Sequence, residues 1–146
     1  MIYFFYGHTK IMGDKLNSLF LSILIGCFMA SMSFGLNSYL MKHWNKLVVI
    51  TLGPIIEEMS KSYLAWYLGA AIVLTHVIFG VIEGGYDLVS SRYGVQGCIL
   101  SIGGHSLFGI VTVIFYEISG LVSVGILMAS LCHIGYNIWV IYHFTN

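Results

Sequence analysis

The sequence predicts an all-α protein, a polytopic transmembrane helix bundle of about five spans. Three observations lead there. Hydrophobic residues fill 58% of the 146 positions and charged residues only 8%, against roughly a quarter in soluble domains. The apolar residues come in runs of about the 20 needed to cross a bilayer, separated by short polar links. These runs are longer than barrel strands and do not alternate strictly, which favours helices. With a mean hydropathy of +0.90 the chain cannot cover itself with a solvated surface, and five spans leave no room for a soluble domain.

The first run covers residues 16–41 and carries no charge, its polar content being Ser, Gly and Asn37. Lys42, His43, Trp44, Asn45 and Lys46 follow as an interfacial turn with an aromatic anchor. The second run, 47–68, contains Pro54, whose missing N–H predicts a kink or a helix restart. A tight turn at Tyr67, Leu68 and Gly69 leads to the third run, 69–89. The fourth, 97–115, follows a polar link at 90–94, and the fifth, 121–142, follows a turn at 116–120. Four spans is the alternative, should the Pro54 segment only dip into the membrane.

Six Lys and Arg balance six Asp and Glu, so no basic tract points to nucleic acid and no acidic tail to a cationic partner. Membrane lipids are the expected surroundings. Cys27, Cys98 and Cys132 lie in apolar runs without Cys-x-x-Cys spacing and read as small buried hydrophobes. The N-terminal flank, 1–15, lacks the basic start and cleavage site of a signal peptide, so the first span is expected to be retained. Residues 16–146 form a single transmembrane domain. Lys10 and Lys15 flank one face while Lys42, Lys46 and Arg92 flank the other, a slight excess that puts the C-terminus in the cytoplasm.

The ionisable residues inside the runs carry the functional signal. Glu57, Glu58 and Lys61 fall in the second, Glu83 in the third, His105 in the fourth, and His133 with Asn137 in the fifth. Each charge at bilayer depth costs about 2.5–3.5 kcal/mol on insertion scales, so such groups pair and serve a purpose. Polar groups from four spans imply one convergent interior site. Lys61 follows Glu57 by four residues and Glu58 by three, and can share a face with either. The adjacent glutamates point about 100° apart and need not do the same job. His133 and Asn137 stack one turn apart; Asn137 suits an interhelical hydrogen bond as well as catalysis. His76 reads as structural, and His8, His43 and His143 as interfacial. Gly80 and Gly84 have the spacing for close helix packing, or for admitting a substrate backbone.

Carboxylates, histidines and an amide suit peptide-bond hydrolysis. A carboxylate withdrawn from water is a stronger base toward a water molecule, and His and Asn can steady a developing oxyanion. His and Glu are also zinc ligands, so a divalent metal such as zinc stays open, although no His-Glu-x-x-His motif is present.

Those residues carry a family resemblance. The Glu57-Glu58-Met-Ser-Lys61 segment resembles the EExxK motif of PrsW-type intramembrane proteases, within the superfamily of type II CAAX prenyl proteases. Phe79 with Glu83 resembles that family's FxxxE, the segment from His105 to Gly109 its third motif, and His133 with Asn137 its HxxxN. The motifs occur in the family's order, each on its own run. Gly84 departs from the Asn usual there, and few spans precede the first motif.

The resemblance implies a transmembrane catalytic-core domain in which Glu57 or Glu58 activates water, completed by Glu83 and His105. It gives His133 and Asn137 the oxyanion and Lys61 the orientation of a glutamate. The expected function is an intramembrane endopeptidase acting on a membrane-embedded or juxtamembrane peptide, in the cytoplasmic membrane of a prokaryote, with no cofactor assigned. A proton-coupled transporter or channel, and a non-catalytic scaffold or immunity protein of the same superfamily, are the alternatives.

Overall fold

The computed structural model describes residues 15–90 and 94–144, and all the described elements are helices. They are α1 (Lys15–His43), α2 (Lys46–Leu68), α3 (Ile72–Ser90), α4 (Gly94–Ser119) and α5 (Val122–Phe144). Four of them, α1, α3, α4 and α5, are long and apolar enough to cross a membrane. The fifth, α2, has the length but holds Glu57, Glu58 and Lys61 at its centre. Residues 1–14, with His8 and Lys10, and residues 91–93, with Arg92, lie outside the described residues.

The helix ends follow local chemistry. Asn45 caps α2, its side chain accepting from the Val48 N–H at 3.0 Å. At the other end Gly69 takes a left-handed φ of 74°, which lets the N–H of Ala70 reach the Ala65 carbonyl at 2.9 Å. Ser22 of α1 then accepts from the Ala71 N–H at 3.0 Å, satisfying a donor that the start of α3 would leave orphaned. Gly120, at φ 72°, makes the corresponding turn before α5. Pro54 does not break α2: the helix runs through it without a restart. The fourth helix likewise continues to Ser119, past the residue expected to end it.

Each helix packs on two main neighbours, so the five close into a ring ordered α1, α2, α5, α4, α3. The α3–α4 contact is the most extensive. Small residues explain it: a Cβ on Gly80 would lie 2.9 Å from the Ser101 carbonyl oxygen, and one on Gly84 2.9 Å from that of Cys98. Packing is therefore the use of both glycines, and neither lines the cavity described below. The Asn that the resemblance expects after Glu83 has no space here.

The interior mixes polar with apolar side chains while the exposed large residues are apolar, unlike the surface of a soluble domain. On α2 the buried residues Glu57, Glu58, Lys61, Ser62 and Ala65 share one side, while Leu52, Ile55, Met59, Tyr63 and Trp66 face outward. The outward stripe has the spacing of a helix face presented to lipid. The cysteines correct the sequence expectation: Cys27 and Cys132 are exposed and Cys98 is half-buried. In a lipid-facing helix an apolar position need not be an interior one.

Candidate active site

The polar residues of the five helices meet halfway along the bundle. Glu58 is the hub, wholly buried, as is Lys61. The Lys61 ammonium lies 2.8 Å from Glu58 Oε1 and 3.0 Å from His105 Nδ1. It also sits 4.1 Å over the ring of Phe79, which gives the aromatic residue four before Glu83 a cation–π role. The same Glu58 Oε1 is 3.0 Å from His133 Nδ1. On the far side of the carboxylate, His76 Nδ1 stands 3.6 Å from Glu58 Oε2, and His76 Nε2 lies 2.9 Å from Ser62 Oγ.

Donor and acceptor rules constrain the protons in this network. A carboxylate only accepts, so His133 donates from Nδ1 to Glu58. An ammonium only donates, so His105 Nδ1 accepts from Lys61 and its Nε2–H donates to Glu83 Oε2 at 2.5 Å. Ring contacts hold both imidazoles: Phe108 stacks on His133 at a centroid distance of 4.4 Å, and Phe79 lies 4.6 Å from His105.

Glu57 is held separately, by α1. Its Oε1 accepts from Asn37 Nδ2 at 3.0 Å and from the Ser33 hydroxyl. Asn37 in turn fits against Gly53, where a Cβ would lie 3.1 Å from its Oδ1. Thus the two neighbouring glutamates are divided between helices, Glu58 with α3 and α5 and Glu57 with α1.

A cavity of about 350 Å³ opens beside this cluster. Glu57, Glu83, His105, His133 and Asn137 line it; Glu58, Lys61 and His76 do not. Its walls come from one half of every helix, among them Met41, Ile50, Asp87, Leu100 and Val140. No lining residue lies beyond Glu57 on α2, Phe108 on α4 or His133 on α5, so the cavity is blind at the depth of the cluster. Beyond that depth the helices close up: a Cβ on Gly125 would lie 2.3 Å from the Thr112 carbonyl oxygen, and one on Gly109 2.9 Å from the His76 Cβ.

All seven residues singled out in the sequence therefore come together, five at the cavity and Glu58 with Lys61 behind it. Sequence reasoning missed Ser33 and Asn37 as partners of Glu57, although their four-residue spacing in an uncharged span marks one polar face. It also missed Asp87, which lines the cavity one turn after Glu83 and accepts from Ser101 Oγ at 2.8 Å. Among the described residues the Asn137 side chain has no hydrogen-bond partner, and it is directed at the cavity it lines.

Two overlapping groups have metal-ligand spacing, Glu57 with His105 and His133, and Glu58 with His76 and His105, their atoms within 4.8 Å of one another. Neither fits a divalent cation as bonded. In the second, the Lys61 ammonium already bridges Glu58 and His105. In the first, both nitrogens of His105 are engaged, leaving two donors where a catalytic zinc takes three. No protein-family model, curated protein or solved structure matches the chain.

Proposed function

We propose that this integral membrane protein is an intramembrane endopeptidase of the PrsW type, hydrolysing a peptide bond of a membrane-embedded or juxtamembrane segment with water. The observation that carries the reading is the blind cavity ending at Glu57, His105 and His133, whose polar atoms lie within 4.8 Å of one another. A closed end speaks for chemistry performed on a ligand, since a conducting path needs a second opening. The family assignment itself rests on the four ordered motifs.

Each residue has a task that its bonds support. The Glu57 carboxylate takes a proton from a water molecule at the cavity end, while the lone pair of His133 Nε2 accepts the other hydrogen and aims the oxygen. The oxygen attacks the peptide carbonyl carbon, forming the C–O bond. The unpartnered amide of Asn137 donates to the resulting oxyanion. Glu57 then passes its proton to the amide nitrogen as the C–N bond breaks, releasing an acid and an amine. In this reading His133 holds the water and Asn137 the oxyanion, since the Nδ1 hydrogen of His133 is given to Glu58. Glu58, with Lys61 behind it, is a positioning residue for His133, and Glu83 is one for His105.

The test is cleavage of a fluorogenic single-span reporter by the purified protein in nanodiscs. Expected is turnover that Glu57→Gln and His133→Ala each abolish while thermal unfolding stays unchanged. Turnover that survives both substitutions defeats the reading. Proton flux in liposomes lost on Glu83→Gln, without cleavage, would favour transport instead.

A further inference from the structure

One titratable side chain of the cluster has no task in the reaction. His76 of α3 is wholly buried, as are its neighbours Ser62 and Glu58 of α2. A buried imidazole costs more than an apolar side chain of its size unless its polar atoms are matched. One of its nitrogens is matched, Nε2 lying 2.9 Å from the Ser62 hydroxyl. The other is not. His76 Nδ1 has no hydrogen-bond partner among the described residues, nor has Glu58 Oε2, yet these two atoms stand only 3.6 Å apart.

The ring is held in that place from two sides. A Cβ on Gly109 of α4 would lie 2.9 Å from the His76 Cβ and 3.0 Å from its Cγ, so Gly109 leaves the room that the imidazole fills. Ser62 secures the far nitrogen. Chemistry then says what Nδ1 brings to Glu58. A neutral imidazole with its hydrogen on Nε2 would set a lone pair against the carboxylate, two acceptors with nothing between them. Every other form of the ring, neutral or cationic, puts a hydrogen on Nδ1 and turns it towards Oε2. Lys61 and His133 both bind the first oxygen of Glu58, Oε1. His76 stands against the second, and so opposes any turn of the carboxylate away from His133.

We infer that His76, backed by Ser62, is a positioning residue for Glu58 and through it for His133. The inference rests on the peptidase reading for its effect on turnover, while the bonding it asserts is independent of any substrate. Hydroxyl, imidazole and carboxylate in this order also make up the triad of serine hydrolases. Ser62, however, is wholly buried and lies off the cavity wall, so here the hydroxyl supports the imidazole and attacks nothing.

NMR of the protein in nanodiscs, with isotope-labelled histidine ring nitrogens assigned by single substitutions, tests this. Expected is a protonated Nδ1 on His76. His76→Leu should move the ring-nitrogen signals of His133, which no longer meets a fixed carboxylate. It should also lower kcat on the reporter about tenfold, the scale of one hydrogen bond, with KM unchanged. His76→Asn sets its amide NH₂ where Nδ1 stood and should return both readings towards those of the parent. Ser62→Ala removes only the hydroxyl and should shift the His133 signals the same way by less; it carries the test if the leucine variant does not fold. A bare Nδ1 on His76, or His133 signals that stay in place in these variants, overturns the inference and leaves the peptidase standing. Signals that move with Leu and return with Asn uphold it even if no peptide is cut, in which case the peptidase reading alone fails.

Discussion

His133 turns its Nδ1 to Glu58 Oε1 at 3.0 Å, joining the last helix to the second across 75 residues of chain. Because the carboxylate can only accept, the contact makes Nδ1 of the imidazole the donor. Replacing Glu58 by Gln offers an amide whose NH₂ group can donate, and the imidazole is then free to take the other tautomer. Glu58→Gln should therefore lower kcat on the reporter by about 10²–10⁴-fold, the usual contribution of a positioned proton acceptor, with KM little changed. The kinetic split in nanodiscs checks this. An unaltered kcat would remove Glu58 from the positioning role.

Lys61 gives a prediction about stability. It is wholly buried between Glu58 and His105, so Lys61→Met leaves the Glu58 charge without its counter-ion. Breaking such a pair from one side costs about 3–5 kcal/mol. Thermal unfolding in detergent should show that loss, and the double variant Glu58→Gln with Lys61→Met should recover most of it while staying inactive. If the single variant is as stable as the parent, the ion pair contributes nothing to the fold.

Ser33 and Asn37 should act through Glu57. A hydrogen bond to a charged group is worth about 1.5–3 kcal/mol, so removing the Asn37 donor with Asn37→Leu should cut kcat about tenfold to a hundredfold. Ser33→Ala should act in the same direction. Neither substitution should shift KM much, since a misplaced base spoils the reaction step more than peptide binding. A rise in KM at constant kcat would make α1 a substrate-binding helix instead.

Metal removal supplies a fourth test. With Lys61 between Glu58 and His105, and His105 spent on Lys61 and Glu83, the protein's own cation stands where a metal would. Chelators should leave reporter cleavage intact, and elemental analysis of the active protein should find less than stoichiometric zinc. Activity lost to a chelator and restored by zinc would show that the lysine gives way.

The bundle was legible in the sequence because only the length of the apolar runs had to be read, and bilayer thickness sets that length. Its punctuation was legible too, at Asn45 and Gly69, where a cap and a left-handed turn demand particular residues. At Pro54 the helix continues without the restart that was one of the two expectations. The cysteines misled: lipid and protein interior are both apolar, so composition cannot tell Cys132 outside from Ala129 inside. The polar residues of the site could be picked out one by one, because charge in a span is rare. What the sequence left open was the division of labour between Glu57 and Glu58. Both are buried, and only the packing order of the ring assigns one to α1 and the other to α5. Asp87 escaped because it lies near the end of α3, where an acid reads as interfacial.

The ring order also bears on how the chain enters the bilayer. Helix α2 alone carries Glu57, Glu58 and Lys61, each a burden of about 2.5–3.5 kcal/mol at the membrane centre. Glu58 and Lys61 can neutralise each other within the helix, but Glu57 needs Asn37 from the preceding helix, and Lys61 needs His105, made 44 residues later. Insertion of α2 is thus tied to the arrival of its partners. On this argument α1 and α2 should enter as a hairpin, with α2 reaching its final place only once α4 has been synthesised. A chain truncated before α4 should leave α2 open to labelling from water.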